Sequence, residues 1–193
     1  MPANAHPDDL RDLATRRGLH TDRLPETIDR DTYTPALIGL LNNLLVWGGS
    51  RVFSDRHNIG TNEWRILSAL GNHPGATASE LCDVLGMNKS IASKSVNLLL
   101  DRELVAQLGG SRGARHLYLT DAGVAVHDAI MPIALRRAEI LHSTLSEAEV
   151  AQLQSLLVRM LSSADDLQSY ERSLSTEPAA GTTRTGANAD PAR

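Results

Sequence analysis

From Thr34 to about His57 the apolar residues do not keep to one stripe. Leu37, Leu40, Leu41 and Leu44 share one face of a helix, while Ile38, Leu45 and Trp47 make a second. A helix that is apolar on two faces has to be covered on two sides. Thr34 followed by Pro35 reads as its N-cap and first turn. Next, Thr61 is placed to cap a second helix whose buried set is Trp64, Ile66, Leu67 and Leu70, ending in the turn residues "GNHPGA". Thr77-x-x-Glu80 is a capping box, and it opens a short third helix with Leu81, Val84 and Leu85 inward and Gly86 as its stop. Asn88 caps a fourth helix, in which Ala92, Ser95, Val96 and Leu99 recur at i, i+3, i+4 and i+7.

Beyond that helix the period changes. "LVAQLGG" and "RHLYLT" have the residue preferences of two short strands, joined by the Gly/Ser-rich "GGSRGA". Thr120 then caps a fifth helix, over about 121–142, which Pro132 should kink. Ser146-x-x-Glu149 is a second capping box, with Leu145 as a hydrophobic staple. The helix it opens, about 147–170, sets Val150, Leu153, Leu157, Met160, Ala164 and Leu167 at spacings of three and four, as in a coiled-coil seam. Two short helices around a glycine-bearing turn, followed at once by a strand pair, describe a helix-turn-helix and its wing. The fold class expected is mainly α (α+β): a winged helix-turn-helix at about 61–120, flanked by outer helices at 34–57, 121–142 and 147–170 in a core of 31–172.

Composition sharpens the ends. Residues 173–193 are small, polar and Pro/Gly-containing, too poor in apolar surface to offset their ordering entropy, and read as a disordered tail. Residues 1–30 read as a partly ordered arm with one amphipathic segment, "PDDLRDLATRRGL". The longest apolar run, residues 36–49, is interrupted by Asn42 and Asn43 and too short for a bilayer, and no secretory signal opens the chain, so a cytoplasmic protein without membrane contact is expected. A single cysteine, Cys82, excludes an internal disulfide, and seven scattered histidines without ligand spacing offer no metal site.

Charge says what the fourth helix is for. Its outward face holds Lys89, Ser90, Ser93, Lys94 and Asn97, with Ile91 near the edge. Residues 86–116 carry five basic residues (Lys89, Lys94, Arg102, Arg112 and Arg115) against Asp101 and Glu103, a net +3 that leaves −7 on the rest of a chain of net charge −4. A basic patch confined to one helix and hairpin of an acidic protein suits DNA, because phosphate neutralisation supplies most sequence-independent affinity. Small side chains let the helix sit deep in a major groove, where hydroxyls and an amide reach phosphate or base edges and Ile91 can touch a thymine methyl.

The span "TNEWRILSALGNHPGATASELCDVLGMNKSIASKSVNLLLDRELV", followed by "LYLTDAG", resembles the MarR family of winged helix-turn-helix transcription regulators, over about residues 33–170. The resemblance implies a homodimer built on the outer helices and a DNA-contacting set that here comprises Thr77, Ser79, Lys89, Ser90, Ile91, Ser93, Lys94, Asn97, Arg112 and Arg115. It also implies a repressor on a pseudo-palindromic operator, released by a small aromatic or phenolic effector. One departure stands out: where family wings carry an Asp-x-Arg pair, this chain has Ser111 and Gly113. The wing salt bridge is lost, and a more mobile wing that still binds through Arg112 and Arg115 is expected.

Two further features have a bland reading and a sharper one. Cys82, beside Leu81 and between Glu80 and Asp83, reads as a structural thiol rather than a redox sensor, since nearby carboxylates disfavour a thiolate. Gly48 and Gly49 inside a helix cost about 1 kcal/mol each relative to alanine. They serve either close helix packing or a small-molecule pocket in which Trp47 stacks on an aromatic ring and Arg51 pairs with its carboxylate. An enzyme is not expected: the chain has no nucleophile elbow, phosphate loop or metal-ligand cluster, hence no catalytic residues and no cofactor. The rival function is a winged helix used for protein contacts without direct DNA binding.

Overall fold

The structure, a computed structural model, describes residues 7–110 and 113–176. The chain divides into two compact units, residues 1–131 and 132–193. In chain order the elements are α1 (Pro7–Arg16), α2 (Thr34–His57), α3 (Thr61–Asn72), α4 (Ala78–Leu85), α5 (Lys89–Asp101), β1 (Val105–Gly109), β2 (Arg115–Leu119), α6 (Asp121–His142), α7 (Glu147–Leu161) and α8 (Ala164–Thr176). The fold is mostly helical with one small sheet, a winged helix.

In the first unit, α3, α4 and α5 close around Ile66, Leu67, Leu70, Leu81, Ala92 and Leu99, with Phe53 from α2 and Leu117 from β2 completing the core. Two caps fall one residue earlier than their sequence signals. Tyr33, not Thr34, is the N-cap of α2, and its carbonyl accepts from Ala36 and Leu37. Pro35, which lacks an N–H, stands among first-turn donors that have no helical partner in any case. Gly60, not Thr61, is the N-cap of α3, and the Glu63 carboxylate caps its N–H at 2.8 Å. Thr61 is used elsewhere: its hydroxyl donates to the Val46 carbonyl at 3.0 Å, and its N–H donates to Ser50 Oγ. Gly48 and Gly49 lie between those two α2 residues, with Gly49 buried, which fits their use in close helix packing.

Arg102, just past α5, donates to the carbonyls of His57 and Asn58, so the end of α5 is tied to the end of α2. Strands β1 and β2 pair antiparallel, Val105 opposite Leu119 and Gly109 opposite Arg115. The α3–α4 turn does more than turn: Gly75 donates to the Leu117 carbonyl at 2.9 Å and Leu117 to that of Ala76 at 3.1 Å, adding a short third edge to the wing. Gly75 has φ +85°, and a Cβ there would meet the Tyr118 hydroxyl at 2.8 Å. At the end of β2, Thr120 Oγ1 accepts from Gly123 N at 3.0 Å and donates to the Glu103 carbonyl at 2.8 Å. This joint accounts for the "LT..G" rhythm, since Gly123 is buried directly against the Leu104 carbonyl.

Helix α2 is longer than the apolar run inside it. At 24 residues, with a window of mean hydropathy 1.2 of which 11% is buried, it is long and apolar enough by length and composition alone to cross a membrane, a test that helices of soluble proteins also pass. Leu40, Leu44 and Trp47 are exposed, Leu44 by 62%. Helix α6 continues through Pro132 to His142.

In the second unit the capping box forms as expected, Ser146 Oγ accepting from Glu149 N at 3.3 Å and Glu149 Oε2 from Ser146 N at 2.8 Å. A single helix over 147–170 does not form. Helix α7 stops at Leu161 and α8 runs from Ala164 to Thr176, so residues 173–176, expected in the tail, are helical. The Ser162 hydroxyl donates to the Arg159 carbonyl at 2.7 Å, the kind of local bond by which serine competes with helix continuation. The rest of the expected tail, 177–193, lies outside the described residues. Neither α7 nor α8 buries a residue, and Leu153, Leu157, Met160 and Leu167 of the seam are exposed.

Candidate nucleic-acid interface

Helix α5 is presented rather than buried. Asn88 caps it, Oδ1 accepting from Ser90 N at 2.8 Å. Ala92, Ser95, Val96 and Leu99 form its buried face, while Lys89, Ser90, Ile91, Ser93, Lys94 and Asn97 are all exposed. Ser90, Ser93, Lys94 and Asn97 line an open concavity of about 660 Å³ that also takes in Asp101 and Arg102. The helix is held at three points: its apolar face on α3 and α4, Arg102 on the end of α2, and Ser95 on Glu63. The Ser95 hydroxyl, on a residue only 3% exposed, donates to Glu63 Oε1 at 2.5 Å, while Oε2 of the same carboxylate caps Gly60.

The wing lies next in sequence to this helix. Arg115 opens β2 and is exposed; Gly110 donates to the Ala114 carbonyl at 2.7 Å across the tip, where Gly113 is left-handed at φ +78°. Ser111 and Arg112, one the site of the missing salt-bridge partner and the other an expected phosphate contact, lie outside the described residues. His116 anchors the wing root, its Nδ1 2.8 Å from the Gly75 carbonyl.

The start of α4 is a closed capping box. Thr77 N–H and hydroxyl donate to Glu80 Oε2 at 2.7 and 2.9 Å, and Glu80 N–H donates back to the Thr77 hydroxyl at 3.3 Å. The Thr77 backbone bond, then its hydroxyl, with a smaller contribution from His116, holds the Glu80 carboxyl below its ordinary value against a small opposing desolvation. Thr77 thus spends its hydroxyl on the helix, whereas Ser79 is exposed in the first turn.

Trp47 and Arg51 share a second open groove of about 650 Å³, together with Asp55, Ile59, Glu63 and Leu98. Trp47 is 68% exposed there. Cys82 is a free, half-buried thiol on α4. Among the described residues no three His, Cys, Asp or Glu side chains gather as a metal-binding set. Sequence reasoning missed two residues. Arg102 counted only as basic charge, though its guanidinium is occupied by α2 carbonyls, and Glu63 had no assigned role. The one available signal for Glu63 was its place three residues after a capping glycine.

The comparisons with known proteins agree with this geometry. The MarR family model matches residues 57–116. The HTH-type transcriptional regulator PetP of Rhodobacter capsulatus is 27% identical over 112 residues, 57% of this chain and 68% of its own. A MarR/EmrR family transcriptional regulator from Acinetobacter sp. ADP1 superposes with a TM-score of 0.67 at 27% identity, covering 72% of this chain and 99% of that one. S. aureus MepR, in its complex with DNA, shares the fold with a TM-score of 0.62 at 20% identity over 70% of this chain and 99% of its own. Residues 57–116, which hold α3, α4, α5 and most of the wing, thus match the MarR family model, and the chain has the winged-helix fold of MarR-family transcription regulators.

Proposed function

We propose that this protein is a homodimeric, sequence-specific DNA-binding repressor of transcription that acts in the cytoplasm and is released by a small aromatic or phenolic ligand. The observation that carries this reading is the α5 face: six exposed residues (Lys89, Ser90, Ile91, Ser93, Lys94 and Asn97) opposite a fully buried seam. That division is what insertion into a major groove requires, with lysines on phosphate and short side chains at base edges. Arg115, and Arg112 three residues before it, supply the wing's phosphate or minor-groove contacts. Thr77 contributes through its backbone and the helix it caps, and Ser79 directly.

The dimer is supported by apolar surface that each protomer leaves open: Leu37, Leu40, Leu41 and Leu44 on α2, and Leu153, Leu157, Met160 and Leu167 on α7 and α8. A second copy covers α2, whose central Asn42 and Asn43 suit a protein partner better than hydrocarbon. Two recognition helices then enter successive major grooves about 34 Å apart on a pseudo-palindrome. Ligand in the groove of Trp47 and Arg51 favours dimers whose helices no longer match that spacing, which is a population shift rather than competition for DNA. Footprinting on the protein's own promoter tests the reading. Two protected half-sites one helical turn apart support it; absence of protection from a folded dimer favours the winged helix as a protein-contact module.

A further inference from the structure

The groove beside Trp47 and the recognition helix share one carboxylate. Glu63 lines the groove with Trp47, Arg51, Asp55 and Leu98, and it is also the partner of the Ser95 hydroxyl on the buried face of α5. We infer that Glu63 reads the groove for the recognition helix: an aromatic ligand bearing a cation or hydrogen-bond donor takes the Glu63 carboxylate, and the loss is felt at Ser95. The inference deepens the proposed regulator and rests on it for its consequence at DNA.

Three observations support it. Ser95 is 3% exposed, and a hydroxyl so buried needs its partner, so weakening the Glu63 bond destabilises the present seat of α5. Leu98 places the same helix on the groove wall, one turn from Lys94 on the outward face, so a ligand that fills the groove also touches α5 directly. The lining charge, Arg51 against Asp55 and Glu63, is net negative. That balance, with Glu63 fixed by its bonds to Gly60 and Ser95 and Trp47 open for stacking, favours phenols, anilines or amidines. Pairing of Arg51 with an aromatic carboxylate, one of the two readings the sequence left open, is disfavoured by the two acidic neighbours.

Benzamidine and benzoate, alike in size and opposite in charge, make the test on the full chain. Calorimetry on wild type, E63Q and S95A measures affinity. Hydrogen exchange of the 89–101 amides measures the coupling without DNA, and anisotropy of labelled promoter DNA measures it with DNA. The inference predicts that benzamidine binds at least about tenfold more tightly than benzoate and that E63Q removes this preference. Benzamidine should speed exchange in α5 and weaken DNA binding of wild type by about tenfold, the usual scale of such coupling. S95A should bind benzamidine within about twofold of wild type, yet show less than about a twofold effect on exchange or DNA. Benzoate binding as tightly, neither probe binding, or S95A transmitting the wild-type effect would each overturn the inference. If wild type binds no promoter DNA, the regulator reading fails, while the affinity and exchange arms still decide the role of Glu63.

Discussion

Gly123→Ala tests whether the joint between the wing and α6 is built as described. A Cβ at position 123 would stand 2.0 Å from the Leu104 carbonyl oxygen and 3.0 Å from its carbon. Non-bonded heavy atoms settle about 3.5–4.0 Å apart, so something must move by more than about 1 Å. The obstructing atom is backbone and cannot swing aside like a side-chain tip. That carbonyl also accepts from Thr120 N at 3.2 Å, and Leu104 and Val105 are buried. Overpacking of this kind costs about 1–3 kcal/mol, and losing the Thr120 bond adds about 1 kcal/mol. Alanine's better helix propensity returns about 1 kcal/mol, leaving a net loss of about 1–3 kcal/mol. Gly71→Ala is the control, because Gly71 is exposed in α3 and a methyl group added there would have nothing within 4 Å; it should be neutral or stabilising by up to about 1 kcal/mol. Urea unfolding at fixed protein concentration, held fixed because dimerisation shifts apparent stability, reads both. A Gly123→Ala protein within about 0.5 kcal/mol of wild type would refute the close approach.

The remaining predictions concern other links. Arg102→Ala should lower stability by about 1–3 kcal/mol through the abandoned carbonyls of His57 and Asn58 while leaving the salt dependence of DNA binding unchanged, as read by urea unfolding and anisotropy. Arg115→Ala should weaken DNA binding and shallow its log–log salt slope by about one, and the double variant with Arg112→Ala by about two; unchanged affinity would refute a role for the wing. Leu44→Asp, at an exposed α2 position, should convert the proposed dimer to monomer in light scattering, and an unchanged mass would contradict a dimer built on this face of α2. Ser146 holds the Glu149 carboxyl below its ordinary value of 4.5, first through its backbone N–H and then its hydroxyl. This contribution is complete above the ordinary value and is lost as pH falls through the lower folded one. Ser146→Ala removes the hydroxyl bond and keeps the backbone one, so it should flatten the acid limb of a stability–pH curve in part, and an unchanged limb would contradict the hydroxyl's share of the box.

What the sequence made legible was local. The boxes at Thr77 and Ser146, the Asn88 cap and the four-residue seam of α5 are settled within one or two helical turns, and they stand where the pattern put them. The α3 cap slipped by one residue because Thr61 is drawn onto α2, fifteen residues earlier. The α7–α8 break was hidden because a heptad-like seam continues in the sequence across Ser162 and Ser163, where the backbone leaves the helix. Of the interface, the outward face of α5 was readable from periodicity alone. The duties of Glu63 and Arg102 were not, since each bonds an element 32 to 45 residues away, and no spacing rule reaches that far.

The central claim, that the exposed face of α5 binds DNA, is tested most directly by titrating the purified protein against its own promoter region at low and physiological salt, with Lys94→Ala alongside. The account predicts saturable binding that weakens with salt, and a variant that folds and dimerises as wild type yet binds less tightly with a salt slope shallower by about one. Binding by Lys94→Ala indistinguishable from wild type at both salts, or no binding by a folded wild-type dimer, would contradict it.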